Sequence, residues 1–150
     1  MTRSLLLALA IALSLFGIAD SWYLFQSAAT DTALSCDIGA GRDGCNIVAQ
    51  SPYSSFLGLP LALYGVGFFG VLFALSLALY ALPTRMLYRA LYALAAFGTL
   101  ASLVFLFIQF FLIKALCIYC LLSAAAVFAL LLIARTLWKR HAPPFLVPVL

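Results

Sequence analysis

The chain has 150 residues, 67% of them apolar, with only 8 basic and 4 acidic side chains and a net charge of +4. A soluble domain of this size needs far more charged surface, so the composition indicates an integral membrane protein built as one small domain. The positive charge does not form a nucleic-acid stripe: Arg3, Arg42, Arg85, Arg89, Lys114, Arg135, Lys139 and Arg140 are scattered and mostly flank apolar runs, as membrane orientation requires.

The first apolar run goes from Leu5 to about Gln26, interrupted by Asp20, to which the sequence assigns no role. Arg3 precedes it, so a cleaved signal peptide is the competing reading. No small-x-small cleavage site stands out, and Trp22 and Tyr23 continue the segment as an aromatic belt. Either way the following loop is delivered to the same side.

From Ser27 to Leu57 the chain turns polar, with Asp31, Asp37, Arg42 and Asp43 among Gly39, Gly41 and Gly44. Cys36 and Cys45 lie inside this one long connection. The stretch Cys45–Ser51 reads as a short interfacial helix that Pro52 stops or kinks. A second span runs from about Leu59 to Leu82, with Pro60 at its start, where a missing N–H costs little. Gly65, Gly67 and Gly70 within it read as small residues for close helix packing.

Pro83–Arg89 is a tight basic turn. The third span follows over about 88–113, Lys114 marks the next reversal, and the fourth covers about 117–138. The tail Lys139–Pro144 is basic and then proline-rich. The expected architecture is an all-α bundle of four transmembrane helices with a short interfacial helix in the outer loop 27–57, forming a single domain over 1–150. Arg3, Arg85, Arg89, Arg135, Lys139 and Arg140 fall on one side of the membrane; Arg42, Lys114 and most acids fall on the other. The positive-inside rule then places both termini in the cytoplasm and all four cysteines at the outer face of the cell membrane, where oxidation is permitted.

Cys117-Ile118-Tyr119-Cys120 opens a helix, where orphan N–H groups and the helix dipole favour a thiolate. Lys114, three residues upstream, is expected to add to this. A ring this small gains little from loop closure as a staple, so a redox role is favoured over a structural one. Cys36 and Cys45, with eight residues between them, are by themselves compatible with a plain loop disulfide. Two pairs on one face make thiol–disulfide exchange the better account. A zinc site is disfavoured, because there is no second Cys-x-x-Cys and His141 lies on the opposite side. No metal is therefore expected. A relay also needs an electron acceptor, and a lipid-soluble quinone suits a thiol at the bilayer edge. Candidate pocket residues are Ser51, Tyr53, Ser54, Phe56, Gln109, Phe110 and Phe111.

Cys36-Asp37, Cys45, Ser51-Pro52-Tyr53-Ser54-Ser55-Phe56-Leu57-Gly58-Leu59-Pro60 continuing to Gly65, and Cys117-Ile118-Tyr119-Cys120 resemble, in that order, the prokaryotic vitamin K epoxide reductase homologues. The resemblance covers about residues 5 to 138. DsbB-type quinone reductases share the function but carry the Cys-x-x-Cys in the first outer loop. The resemblance implies a thiol:quinone oxidoreductase that reoxidises a separate thioredoxin-like or DsbA-like partner, since no fused thioredoxin-like domain is expected here. It implies that Cys36 exchanges with the partner, Cys45 links transiently to Cys117, and Cys120 is the thiolate that reduces ubiquinone or menaquinone. Ser51 matches a polar position near the quinone ring. Ala124 stands where the vertebrate enzymes have a tyrosine, which favours quinone over epoxide as substrate. Two alternatives stay in view: a non-catalytic scaffold stapled by disulfides, and an outward reductive conduit of the CcdA type, which needs cysteines reachable from both faces. A monomer suffices for either account, and no nucleic-acid partner is expected.

Overall fold

The computed structural model describes residues 2–34 and 44–141. Cys36, Arg42 and the Pro143-Pro144 tail lie outside them. Among the described residues, four helices are long and apolar enough to cross a membrane: α1 (Arg3–Thr30), α3 (Leu61–Ala81), α4 (Arg85–Phe107) with the turn that extends it to Ile113, and α5 (Ile118–His141). The short helix α2 (Gly44–Ala49) precedes α3. The chain is thus an all-α, multi-pass membrane bundle.

Each boundary has a local cause. Asp31 ends α1 in the left-handed conformation, its N–H bonded to the Ser27 carbonyl. Thr84 starts α4 by accepting the Leu87 N–H at 3.4 Å. Between α2 and α3 the chain does what hydropathy does not reveal. Pro52–Ser54 form one 3₁₀ turn, and strands β1 (Ser55–Phe56) and β2 (Leu59–Pro60) pair antiparallel. Leu57 and Gly58 join them with φ of 51° and 80°. Two successive positive-φ residues suit the right-handed twist of a two-residue hairpin. The expected helix start at Leu59 is therefore displaced to Leu61, with Pro60 as its cap.

The helices form a ring in which α1 packs on α3 and α5, and α4 packs on α5 and α3. Glycines set the close approaches, but not those the second span suggested. A Cβ at Gly17 would overlap the Phe69 ring, one at Gly98 the Phe68 ring, and one at Gly65 would lie 2.7 Å from Ser21 Oγ. Gly67 and Gly70 face open space, so the packing role expected of them is corrected to Gly65 alone within α3.

The bundle is solid at one end and hollow at the other. Leu6, Leu7 and Ala10 of α1 interlock with Leu72 and Leu79 of α3, Tyr88 and Leu91 of α4, and Leu130 and Leu137 of α5. Arg3 Nε donates to the buried Tyr88 hydroxyl at 2.9 Å, and the guanidinium also reaches the Leu79 carbonyl. Buried Ser14 and Ser76 donate to carbonyls one turn back, at 2.8 Å each, leaving neither hydroxyl unsatisfied. Leu100, Leu103 and Phe107 stand exposed along α4, as lipid-facing side chains do. Cys45, Cys117 and Cys120 lie at the hollow end.

Candidate functional site

The site begins with an irregularity in α4. At Ile108 the helix widens into a π turn that runs to Ile113. Lys114, at φ 57°, ends it, and the N–H groups of Lys114 and Ala115 both bond the Gln109 carbonyl. A π turn inserts one extra residue per turn and so rotates the side chains around it. Gln109 is turned inward and is 4% exposed, while Phe110 and Phe111 are turned outward at 61% and 58%. The Gln109 Oε1 accepts the Cys117 N–H at 3.1 Å, and its side chain also bonds the Cys120 thiol.

Cys117 is the residue before α5, so it occupies the N-cap. Its Sγ accepts the Cys120 N–H at 3.4 Å, the bond a serine or aspartate oxygen makes at that position. The pair is in the free thiol form. The Cys120 S–H donates to Cys117 and, helped by the N–H groups of Cys120 and Tyr119, lowers the Cys117 thiol to about 7 against the opposing effect of burial. The exposed Lys114 is not among the groups acting on it, so the contribution expected from that lysine is replaced by the cap itself. Alkylation of the reduced protein by iodoacetamide, followed against pH, is expected to rise with a midpoint near 7. In Cys120→Ala the midpoint moves upward, toward the ordinary thiol range. An unmoved midpoint would show that the S–H donor is not what holds the thiolate.

Cys45 approaches from the other side. Leu34, Cys45 and Cys117 form a small buried cluster, with Val48, Ile118 and Cys120 packed around it. Asn46 fixes the incoming chain by accepting the Leu34 N–H at 2.8 Å and donating to the Leu34 carbonyl at 3.3 Å. Gly44 makes the approach possible, because a Cβ there would sit 2.5 Å from the Leu116 carbonyl oxygen. Cys45 is disulfide-bonded. Gly44→Ala is therefore expected to push α2 off the segment before α5. In a Cys36→Ala/Cys120→Ala background, mild oxidation should then cross-link Cys45 to Cys117 roughly 10- to 100-fold more slowly. An unchanged rate on non-reducing gels would show that α2 tolerates the displacement.

These sulfurs open onto a cavity of about 960 Å³ between α1, α3, α4, α5 and the α2–hairpin segment. Cys45, Cys117 and Cys120 all line it. Of the pocket residues expected from sequence, Ser51, Tyr53, Ser54 and Gln109 line it too. Phe56, Phe110 and Phe111 are not in its wall. Phe56 packs its ring edge-on to Tyr64, and Phe110 and Phe111 pack on each other, all facing outward. The aromatic wall comes instead from Phe68, Phe97 and Phe105, which hydropathy could not distinguish from lipid-facing neighbours. The Ser51 hydroxyl donates to the Val48 carbonyl at 2.7 Å, and Ser54 to the Ser51 carbonyl at 2.8 Å. Both hydroxyl protons are thus engaged within the cap. The space has the size and the mix of apolar wall and few polar groups of a small-molecule site.

Ser123 also lines the cavity, and its hydroxyl donates to Asp20 across the bundle at 2.5 Å. This partner for Asp20 was not apparent in the sequence. Among the described residues, no group of three His, Cys, Asp or Glu side chains could hold a metal ion. The model of the vitamin K epoxide reductase family matches residues 8–135. Comparison of the whole chain with curated protein sequences finds no match.

Proposed function

The chain belongs to the vitamin K epoxide reductase family, and on that premise we propose that this quinone-linked thiol oxidoreductase reoxidises a separate thioredoxin-like partner at the outer membrane face and passes the electrons to ubiquinone or menaquinone. The partner's dithiol reduces a Cys36–Cys45 disulfide. Cys45 then attacks the Cys117–Cys120 disulfide at Cys117 and expels Cys120 as thiolate. Cys36 attacks Cys45 to release Cys117 and re-form the Cys36–Cys45 disulfide, and the reduced Cys117–Cys120 pair gives two electrons to quinone. One observation carries the reading. A Cys-x-x-Cys pair with an activated thiol shares a buried cluster with Cys45 and opens onto a partly aromatic cavity large enough for a quinone ring.

The geometry supports an order of events. In the reduced pair Cys117 carries the thiolate and Cys120 donates to it. A thiolate on Cys120, which the family resemblance requires toward quinone, forms when Cys117 is bonded to Cys45. Cys120 is then left with the Gln109 side chain as its partner. The driving force is the potential gap between partner and quinone, about 1.4 kcal/mol per 30 mV for a two-electron couple.

The test is optical quinone reduction by the purified protein in detergent with a reduced thioredoxin-like protein as donor. Turnover is expected in wild type and lost in both Cys120→Ala and Cys36→Ala, with dithiothreitol rescuing only Cys36→Ala. No turnover by well-folded wild type with either quinone class would leave a disulfide-stapled scaffold as the better account.

A further inference from the structure

Among the described residues, Asp20 is the one acidic side chain inside a membrane span, and it is only 8% exposed. Ionisable groups at such positions are costly and usually serve a function. Its partner is Ser123, whose hydroxyl donates to an oxygen of the carboxyl group 2.5 Å away, a separation across which a proton passes in either direction. Ser123 follows Cys120 by three residues, so the two share a face of α5. Both line the cavity, whereas Asp20 lies behind that wall. The serine hydroxyl is therefore the link between the carboxyl group and whatever occupies the cavity beside Cys120.

From this arrangement we infer that Ser123 and Asp20 form a proton relay, Ser123 handing a proton to a quinone oxygen in the cavity while Asp20 replaces it. The inference rests on the quinone-reducing reading above and adds the proton path to it.

The balance of the reaction calls for such a path. Closing a disulfide from the Cys117 thiolate and the Cys120 thiol releases two electrons and one proton. Converting a quinone to a quinol consumes two electrons and two protons. The Cys120 thiol supplies one proton, and the other comes from the Asp20 carboxyl through Ser123. The Ser123 O–H bond breaks as an O–H bond forms on the quinone oxygen, and the Asp20 O–H bond breaks as the Ser123 O–H is re-formed, leaving Asp20 as carboxylate. Asp20 regains its proton from outer water along the α1 wall, where Ser27 and Asp31 also line the cavity. The titratable groups that act with Asp20 are Cys117, Cys120 and Tyr119, on α5 and the residue before it. Helix α3, on the other side of α1, carries no charged residue along its length.

The experiment uses the full chain in detergent, with dithiothreitol as donor and a short-chain ubiquinone as acceptor. Asp20→Asn and Ser123→Ala are expected to lower kcat about 100-fold or more, in the range of general acid catalysis, with KM for quinone within about threefold. Ser123→Thr, which keeps the hydroxyl, should restore kcat to within about threefold of wild type. The limb of the pH profile set by Cys117 near 7 should remain in Asp20→Asn. Reduction of the Cys117–Cys120 disulfide by dithiothreitol without quinone, read by alkylation, should be unchanged in every variant. Active wild type with kcat within threefold in both Asp20→Asn and Ser123→Ala overturns the relay alone. So does an equal loss in the quinone-free reduction, which would mark the pair as structural. Inactive wild type removes the quinone reading and the relay with it.

Discussion

Replacing Cys117 with serine is expected to lower quinone reduction by roughly 1,000-fold or more while leaving the fold in place. The two halves of this prediction have different causes. Cys117 holds the N-cap of α5 through its sulfur, and serine is among the best residues for that position. The thermal midpoint should therefore stay within a few degrees of wild type. The chemistry does not survive the change, because a hydroxyl can neither attack a disulfide nor form one. Cys117 is the sulfur that faces both Cys45 and Cys120, so its loss cuts the relay between the two pairs. Steady-state assays beside a thermal melt in the same detergent make the check. Residual turnover above about one percent would mean that Cys45 delivers electrons to Cys120 directly, and the order proposed here would be wrong.

Gln109→Leu should produce the other large effect, and this one is both structural and chemical. Leucine fills nearly the same volume but satisfies neither partner. The Cys117 N–H, in a residue only 1% exposed, loses its acceptor, and a buried unpaired donor costs about 1–3 kcal/mol. For a chain of this length that corresponds to a fall of very roughly 5 °C in the thermal midpoint. The Cys120 thiol loses its amide partner at the same time, and turnover should drop by about 10- to 100-fold. Gln109→Glu separates the two roles. It keeps an acceptor for the Cys117 N–H, so stability should largely hold. It also sets a carboxyl group beside the thiols, which opposes the Cys117 thiolate and should shift its alkylation midpoint upward from about 7. Equal stability and equal turnover in Gln109→Leu would show that water replaces the amide.

Much of the architecture was open to inspection in the sequence because membrane segments obey local rules. Apolar runs of span length, bounded by the polar stretch after Gln26, by Pro83-Thr84 and by Lys114, located the four helices to within a few residues, the first running on to Thr30. Cys117 was recognisable as the first position of a helix, since a polar reversal precedes it and a long apolar run follows. The order of the cysteines, the Ser51-Pro52 turn and the Cys-x-x-Cys identified the family. The pocket was less legible. In a lipid-facing bundle an aromatic side chain is at home on either surface of its helix, so Phe56, Phe110 and Phe111 could not be told from Phe68, Phe97 and Phe105 by composition.

The sequence by itself determined the number of spans, the helix that begins at the cysteine pair and the loop that carries the other two cysteines, because these depend on residues adjacent in the chain. The tertiary structure alone decided three further matters. The π turn brings Gln109 rather than Phe110 against the sulfurs, a one-residue change of register to which an all-round apolar run is indifferent. Gly44 lets Cys45 reach Cys117 because its neighbour is a carbonyl from a distant segment, and no local pattern announces such a contact. Asp20 finds Ser123 across 103 residues, and only the packing of α1 on α5 turns an isolated acid into a paired one.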